Sequence, residues 1–89
     1  MSVTINLVAY FQPYAGNKEQ VEVKGKTIGE CLNNLVKQYP SMKKMLFDKD
    51  GKLHPFLSIF IDNEIAYDAL DKPVKDGSSF HILYIIGGG

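Results

Sequence analysis

Apolar and polar residues alternate from residue 2 to residue 11. Val3, Ile5, Leu7, Ala9 and Phe11 fall on one side, and Thr4, Asn6, Val8 and Tyr10 on the other. A period of two is that of a strand with one face in a core. Pro13, Gly16 and Asn17 are turn residues, and Gln20-Val21-Glu22-Val23-Lys24 alternates again, so residues 2–24 read as a hairpin. The period then changes. Ile28, Cys31, Leu32, Leu35, Val36 and Tyr39 recur at helical spacing and make one apolar stripe. Thr27 with Glu30 three residues on is a helix-start signature, and Pro40 disfavours helix at Tyr39. The stretch from Ser41 to Phe47 predicts a second short helix with Met42, Met45 and Leu46 facing in, followed by a turn at Asp48-Lys49-Asp50-Gly51. Phe56 to Ile61 is predicted as a strand with Leu57, Ile59 and Ile61 inward, and Ile65 to Tyr67 as a short edge strand. The last strand, Ser79 to Ile85, puts Phe80, Ile82 and Tyr84 on one side and His81, Leu83 and Ile85 on the other.

The order is hairpin, helix, strand, short strand, strand. One helix lying across one face of a mixed sheet of four to five strands satisfies it most simply. This is the α+β arrangement called the β-grasp, or ubiquitin-like fold, in which the first and last strands lie side by side at the centre. A chain of 89 residues makes one domain. The domain is expected over 1–86, with a flexible glycine-rich tail at 87–89.

Composition narrows the function. The formal net charge is zero, and all ten basic residues are lysines. Arginine is the preferred partner of phosphate and guanine edges, so nucleic-acid binding is not expected. No stretch approaches the length of an apolar membrane span, and no secretory signal opens the chain, so no membrane role and a cytoplasmic location are expected. Cys31 is the only cysteine, and His54 and His81 lie far apart, so neither a disulfide nor a metal cage is expected. Asp48, Asp50 and Gly51 lack the glutamate that would complete a calcium loop, where Ile59 stands instead.

The final residues, Tyr84-Ile85-Ile86-Gly87-Gly88-Gly89, run from a strand straight into three glycines. Glycine has no Cβ, so such an arm fits a channel too narrow for other residues. Together with Thr27-Ile28-Gly29-Glu30-Cys31-Leu32, Tyr39-Pro40, Ile61-Asp62-Asn63 and Pro73-Val74-Lys75-Asp76-Gly77, this ending resembles the ThiS/MoaD family of ubiquitin-like sulfur carriers. The resemblance spans the whole chain. Its length, with the added segment from Ser41 to Leu53, is nearer the molybdopterin type than the thiamin type. Gln12-Pro13 stands where the family usually has Arg-Glu, and Ser78-Ser79 where it often has an acidic pair.

The resemblance implies a carrier substrate, or the small subunit of a synthase, and not an enzyme in its own right. A partner activating enzyme, using ATP and magnesium that the carrier itself does not bind, would adenylate the carboxylate of Gly89. A sulfur donor would convert it to a thiocarboxylate, and a sulfur-accepting synthase or biosynthetic enzyme would take the sulfur, in molybdopterin, tungstopterin or thiamin formation or in transfer to cysteine or other metabolites. Gly88 and Gly89 are the reactive residues on this reading, and Gly87 lengthens the arm and belongs to the partner contact. The alternative is a ubiquitin-like binding module or protein modifier without sulfur transfer. Val8, Tyr10, Phe60 and Leu83 are expected on the sheet face away from the helix, as a partner surface. Cys31 is expected as a buried small hydrophobe without a relay role.

Overall fold

The computed structural model describes residues 2–66 and 69–84. Five strands form one sheet in the order β2-β1-β5-β3-β4. They are β1 (Ser2–Leu7), β2 (Gln20–Lys24), β3 (Leu57–Ile61), β4 (Glu64–Ala66) and β5 (Ser79–Tyr84). Strand β1 pairs antiparallel with β2 and parallel with β5, while β3 pairs antiparallel with both β4 and β5. The first and last strands therefore lie together at the centre, as the sequence predicts. Tyr67, expected in the edge strand, and Ile85, expected in the last one, lie outside the described residues.

The main helix, α1 (Ile28–Gln38), starts where the sequence signals it. The Thr27 hydroxyl accepts from the Glu30 amide at 3.1 Å. The Glu30 carboxylate reaches back to the amide of Lys26 at 3.0 Å, one residue beyond the usual reciprocal partner. The helix buries Ile28, Cys31, Leu32 and Leu35 against Val3, Ile5, Leu7, Ile59, Ile61, Phe80 and Ile82 of the sheet. Val36 and Tyr39, expected on the same stripe, pack only at its margin. A short helix, α2 (Met42–Leu46), buries Met42 and Leu46 and leaves Met45 half-buried.

The first strand is shorter than its pattern suggests. It ends at Leu7, not at Phe11. The chain turns there: the Phe11 amide donates to the Val8 carbonyl at 2.9 Å and the Gln12 amide to Ala9 at 3.3 Å. A 3-10 turn follows at Gln12–Tyr14, with Pro13 in its first turn. Phe11 is fully buried and plugs one end of the core. Burying a Phe side chain contributes about 1.5–3 kcal/mol. A turn delivers that as well as a longer strand would, so the alternation at Ala9 and Phe11 was no evidence of strand.

Among the described residues no buried side-chain nitrogen or oxygen lacks a hydrogen-bond partner. Among the same residues no helix is long and apolar enough to cross a membrane, and no group of three acidic, His or Cys side chains is placed to hold a metal.

Candidate functional site

The site is the end of the sheet where β5 runs toward the C-terminus. Strand β5 is held on both sides, by β1 through Leu7 opposite Ile82 and by β3 through Leu57 opposite Tyr84 and Ser58 opposite Leu83. A central strand pinned on both edges is a rigid base for whatever follows it. Gly88 and Gly89, the predicted reactive residues, and Gly87, predicted to lengthen the arm and meet the partner, lie outside the described residues, as do Ile85 and Ile86.

The expected partner surface divides in two. Phe60 and Leu83 do stand on the sheet face turned away from α1, because their neighbours Ile59, Ile61, Ile82 and Phe80 fill the opposite face. Both are half-buried, and the Phe60 and His81 rings lie 6.0 Å apart. Val8 and Tyr10 do not share that strand face, because β1 stops before them. Val8 is half-buried at the core's margin. Tyr10 is thrown outward by the turn that buries Phe11, and 49% of it is exposed.

Tyr10 instead joins a cluster of rings. Its ring centroid is 4.4 Å from that of Tyr84 and 5.2 Å from that of Phe11. Phe56, 38% exposed, sits 5.1 Å from Tyr84 on another side. His54 stacks on Phe56 at 4.8 Å with the planes 9° apart, and its Nε2 bonds the Lys44 carbonyl at 2.9 Å. That bond ties the cluster to α2. Partial loss of water and the neighbouring Tyr84 and Tyr14 phenols push the Tyr10 hydroxyl above its ordinary pKa. The sequence puts Phe56 in a strand, but β3 begins at Leu57, and neither Phe56 nor His54 carries a sequence signal for this cluster. Their role depends on Tyr84 meeting the loop before β3, and that is a long-range contact. The segment from Ser41 to Leu53 does not fold over the outer face; α2 packs beside α1 on the core side.

Cys31 is fully buried, and burial together with the Glu30 carboxylate raises its pKa. It is remote in character from a reactive thiol.

The fold defines a ubiquitin-like β-grasp protein whose last described strand lies in the middle of the sheet. The chain belongs to the ThiS family, whose model matches residues 5–89. It is 30% identical to the sulfur carrier protein CysO of Mycobacterium tuberculosis, over an alignment covering all of both chains. The crystal structure of small archaeal modifier protein 1 from Haloferax volcanii superposes with a TM-score of 0.86 at 25% identity, covering all of both chains. CysO of Amycolatopsis orientalis, solved as a BexX/CysO complex, gives 0.86 at 28% identity over 98% of this chain and 99% of that one. This homology supports a sulfur-carrier role. Carriers of this type are substrates of other enzymes rather than enzymes themselves.

Proposed function

We propose that this protein carries sulfur on the carboxylate of Gly89. An activating enzyme transfers the adenylyl group of ATP, with magnesium, onto that carboxylate and releases pyrophosphate. A sulfur donor then displaces AMP and leaves a thiocarboxylate. The chemistry needs this order because a carboxylate is a poor electrophile and AMP is a good leaving group. A sulfur-accepting synthase or other biosynthetic enzyme, of the cofactor-forming or the cysteine-forming kind, then takes the sulfur. The carrier contributes a docking surface, including Phe60 and Leu83, and an arm whose last residues, Gly88 and Gly89, have no Cβ to obstruct a channel.

The observation that carries this reading is the end-to-end likeness to a sulfur carrier, joined to a glycine ending that follows the central strand β5 within three residues in the sequence. The test is pyrophosphate exchange with the activating enzyme. Deleting Gly89, or adding one alanine after it, should abolish exchange while leaving thermal stability unchanged. Intact-mass analysis after sulfur loading should show one oxygen replaced by sulfur at Gly89. Exchange at the wild-type rate in either variant would show that the carboxylate need not stand at Gly89 and would overturn the assignment of Gly89.

A second reading has its own support. The likeness to small archaeal modifier protein 1 favours a protein modifier, with Gly89 joined to lysines of other proteins. Isopeptide-linked adducts ending in Gly88-Gly89 would appear in lysate if it holds.

A further inference from the structure

The ring cluster surrounds the last described residue of β5. Tyr10 and Phe56 flank Tyr84 at 4.4 and 5.1 Å, and Phe11 anchors the group to the core at 6.5 Å from Tyr84. Two of these rings are left open to water although each touches the cluster, at 49% for Tyr10 and 38% for Phe56. The fold buries their neighbours Phe11 and Leu57 and leaves them outside.

Beyond Tyr84 the chain runs from Ile85 to Gly89. At 3.3–3.6 Å per residue that length reaches at most roughly 18 Å. An enzyme acting on the Gly89 carboxylate must bring its reacting centre within that radius of Tyr84. The entrance to that centre then closes over whatever stands around Tyr84, and the ring cluster stands there. We propose that Tyr10, Phe56 and Tyr84 form the seat for the channel mouth of the adenylating enzyme, which engages their ring faces with arginine and apolar side chains. The proposal rests on the carboxylate reading above and names the contact that delivers the arm.

The chemistry of the seat fits such a rim. Aromatic side chains bring large contact area at low entropic cost and dominate interface energies. A guanidinium stacks on a tyrosine or phenylalanine face. This seat is separate from the outer face at Phe60, whose ring lies against His81 rather than against Tyr84. Tyr84 itself is on the inner side of β5, opposite Leu57.

The experiment is steady-state pyrophosphate exchange with the full-length carrier and the enzyme that adenylates it. Tyr10→Ala and Phe56→Ala should each raise KM for the carrier about tenfold or more, the scale of an aromatic hot spot, with kcat unchanged. Tyr10→Phe keeps the face and should keep the wild-type KM. Phe56 packs on Tyr84 and His54 outside the buried core, so its alanine variant should fold and guards against a defect at Tyr10. A photo-reactive benzoylphenylalanine in place of Phe56 should cross-link to that enzyme. Unchanged KM in both alanine variants, with exchange still lost on deletion of Gly89, overturns the seat and leaves the carboxylate reading standing. Exchange that survives deletion of Gly89 overturns both.

Discussion

At the scale of single residues, burial decides chemistry. Cys31 is a tempting residue in a sulfur-handling protein, but its Sγ lies within the α1 stripe and is wholly covered. A Cβ on Gly25 would meet that sulfur at 2.7 Å, so the thiol is closed in by backbone as well as by the core. Its pKa is raised by burial first and by the Glu30 carboxylate second, so at neutral pH it stays a thiol. The folded protein should resist a thiol-reactive maleimide and take up one label per chain only after denaturation, as read by intact mass. Rapid labelling of the native protein would contradict this. The helical spacing already placed Cys31 in the core. Spacing misplaced Tyr10, because two adjacent aromatics, Tyr10 and Phe11, trade faces when a strand becomes a turn. Nothing local in the sequence marks where β1 stops.

Elements meet through glycines, amides and a carboxylate. Gly29 in the first turn of α1 passes so close to residues 69–71 that an added Cβ would lie 2.9 Å from the Leu70 carbonyl oxygen. Backbone cannot move aside as a side-chain tip can. Gly29→Ala gains helix propensity but overpacks this contact, and should destabilise the domain by about 1–3 kcal/mol in urea unfolding. A more stable variant would show that the connection yields. The outer edge of β2 is covered by α1: the Gln38 amide donates to the Glu22 carbonyl at 3.2 Å, and the Asn34 amide donates to that of Lys24. Two outward carbonyls of an edge strand are thereby satisfied, which disfavours edge-to-edge pairing. In the 48–52 turn, the Asp48 carboxylate accepts from the amides of Asp50 at 2.8 Å and Lys52 at 3.1 Å. These bonds, the Lys52 amide foremost, lower its pKa. A lowered folded pKa contributes stability that is present above the ordinary aspartate value and is lost as pH falls through the folded value. Amide exchange at Asp50 and Lys52, corrected for intrinsic rates, should therefore lose protection only below the usual aspartate range. In Asp48→Ala that pH-dependent step should be absent.

At the scale of the whole molecule, the topology was legible because each element carried its own period and its own punctuation. The strand order β2-β1-β5-β3-β4 is that of the β-grasp, an arrangement in which one helix covers one face of a sheet built from a hairpin and three later strands. What escaped the sequence was the end of the sheet. There Tyr84, Phe56 and Tyr10 come together from three distant stretches, and no pairwise spacing encodes such a meeting. The outer face offers the last test. Leu83 points away from α1, opposite Ser58, on a face it shares with Thr4, Asn6 and His81. Asp on a central strand costs about 1 kcal/mol in β-propensity, or a melting shift of roughly 4–8 °C in a domain this small. A charge driven into a desolvated apolar contact without a partner costs more than that. Leu83→Asp should therefore keep the fold, by circular dichroism and melting, and still raise KM for the carrier in pyrophosphate exchange. If the variant unfolds at room temperature, Leu83 belongs to the core rather than to the docking face. If it folds and exchanges with wild-type KM, the activating enzyme reads the ring seat and the arm alone, and the outer face serves some other contact.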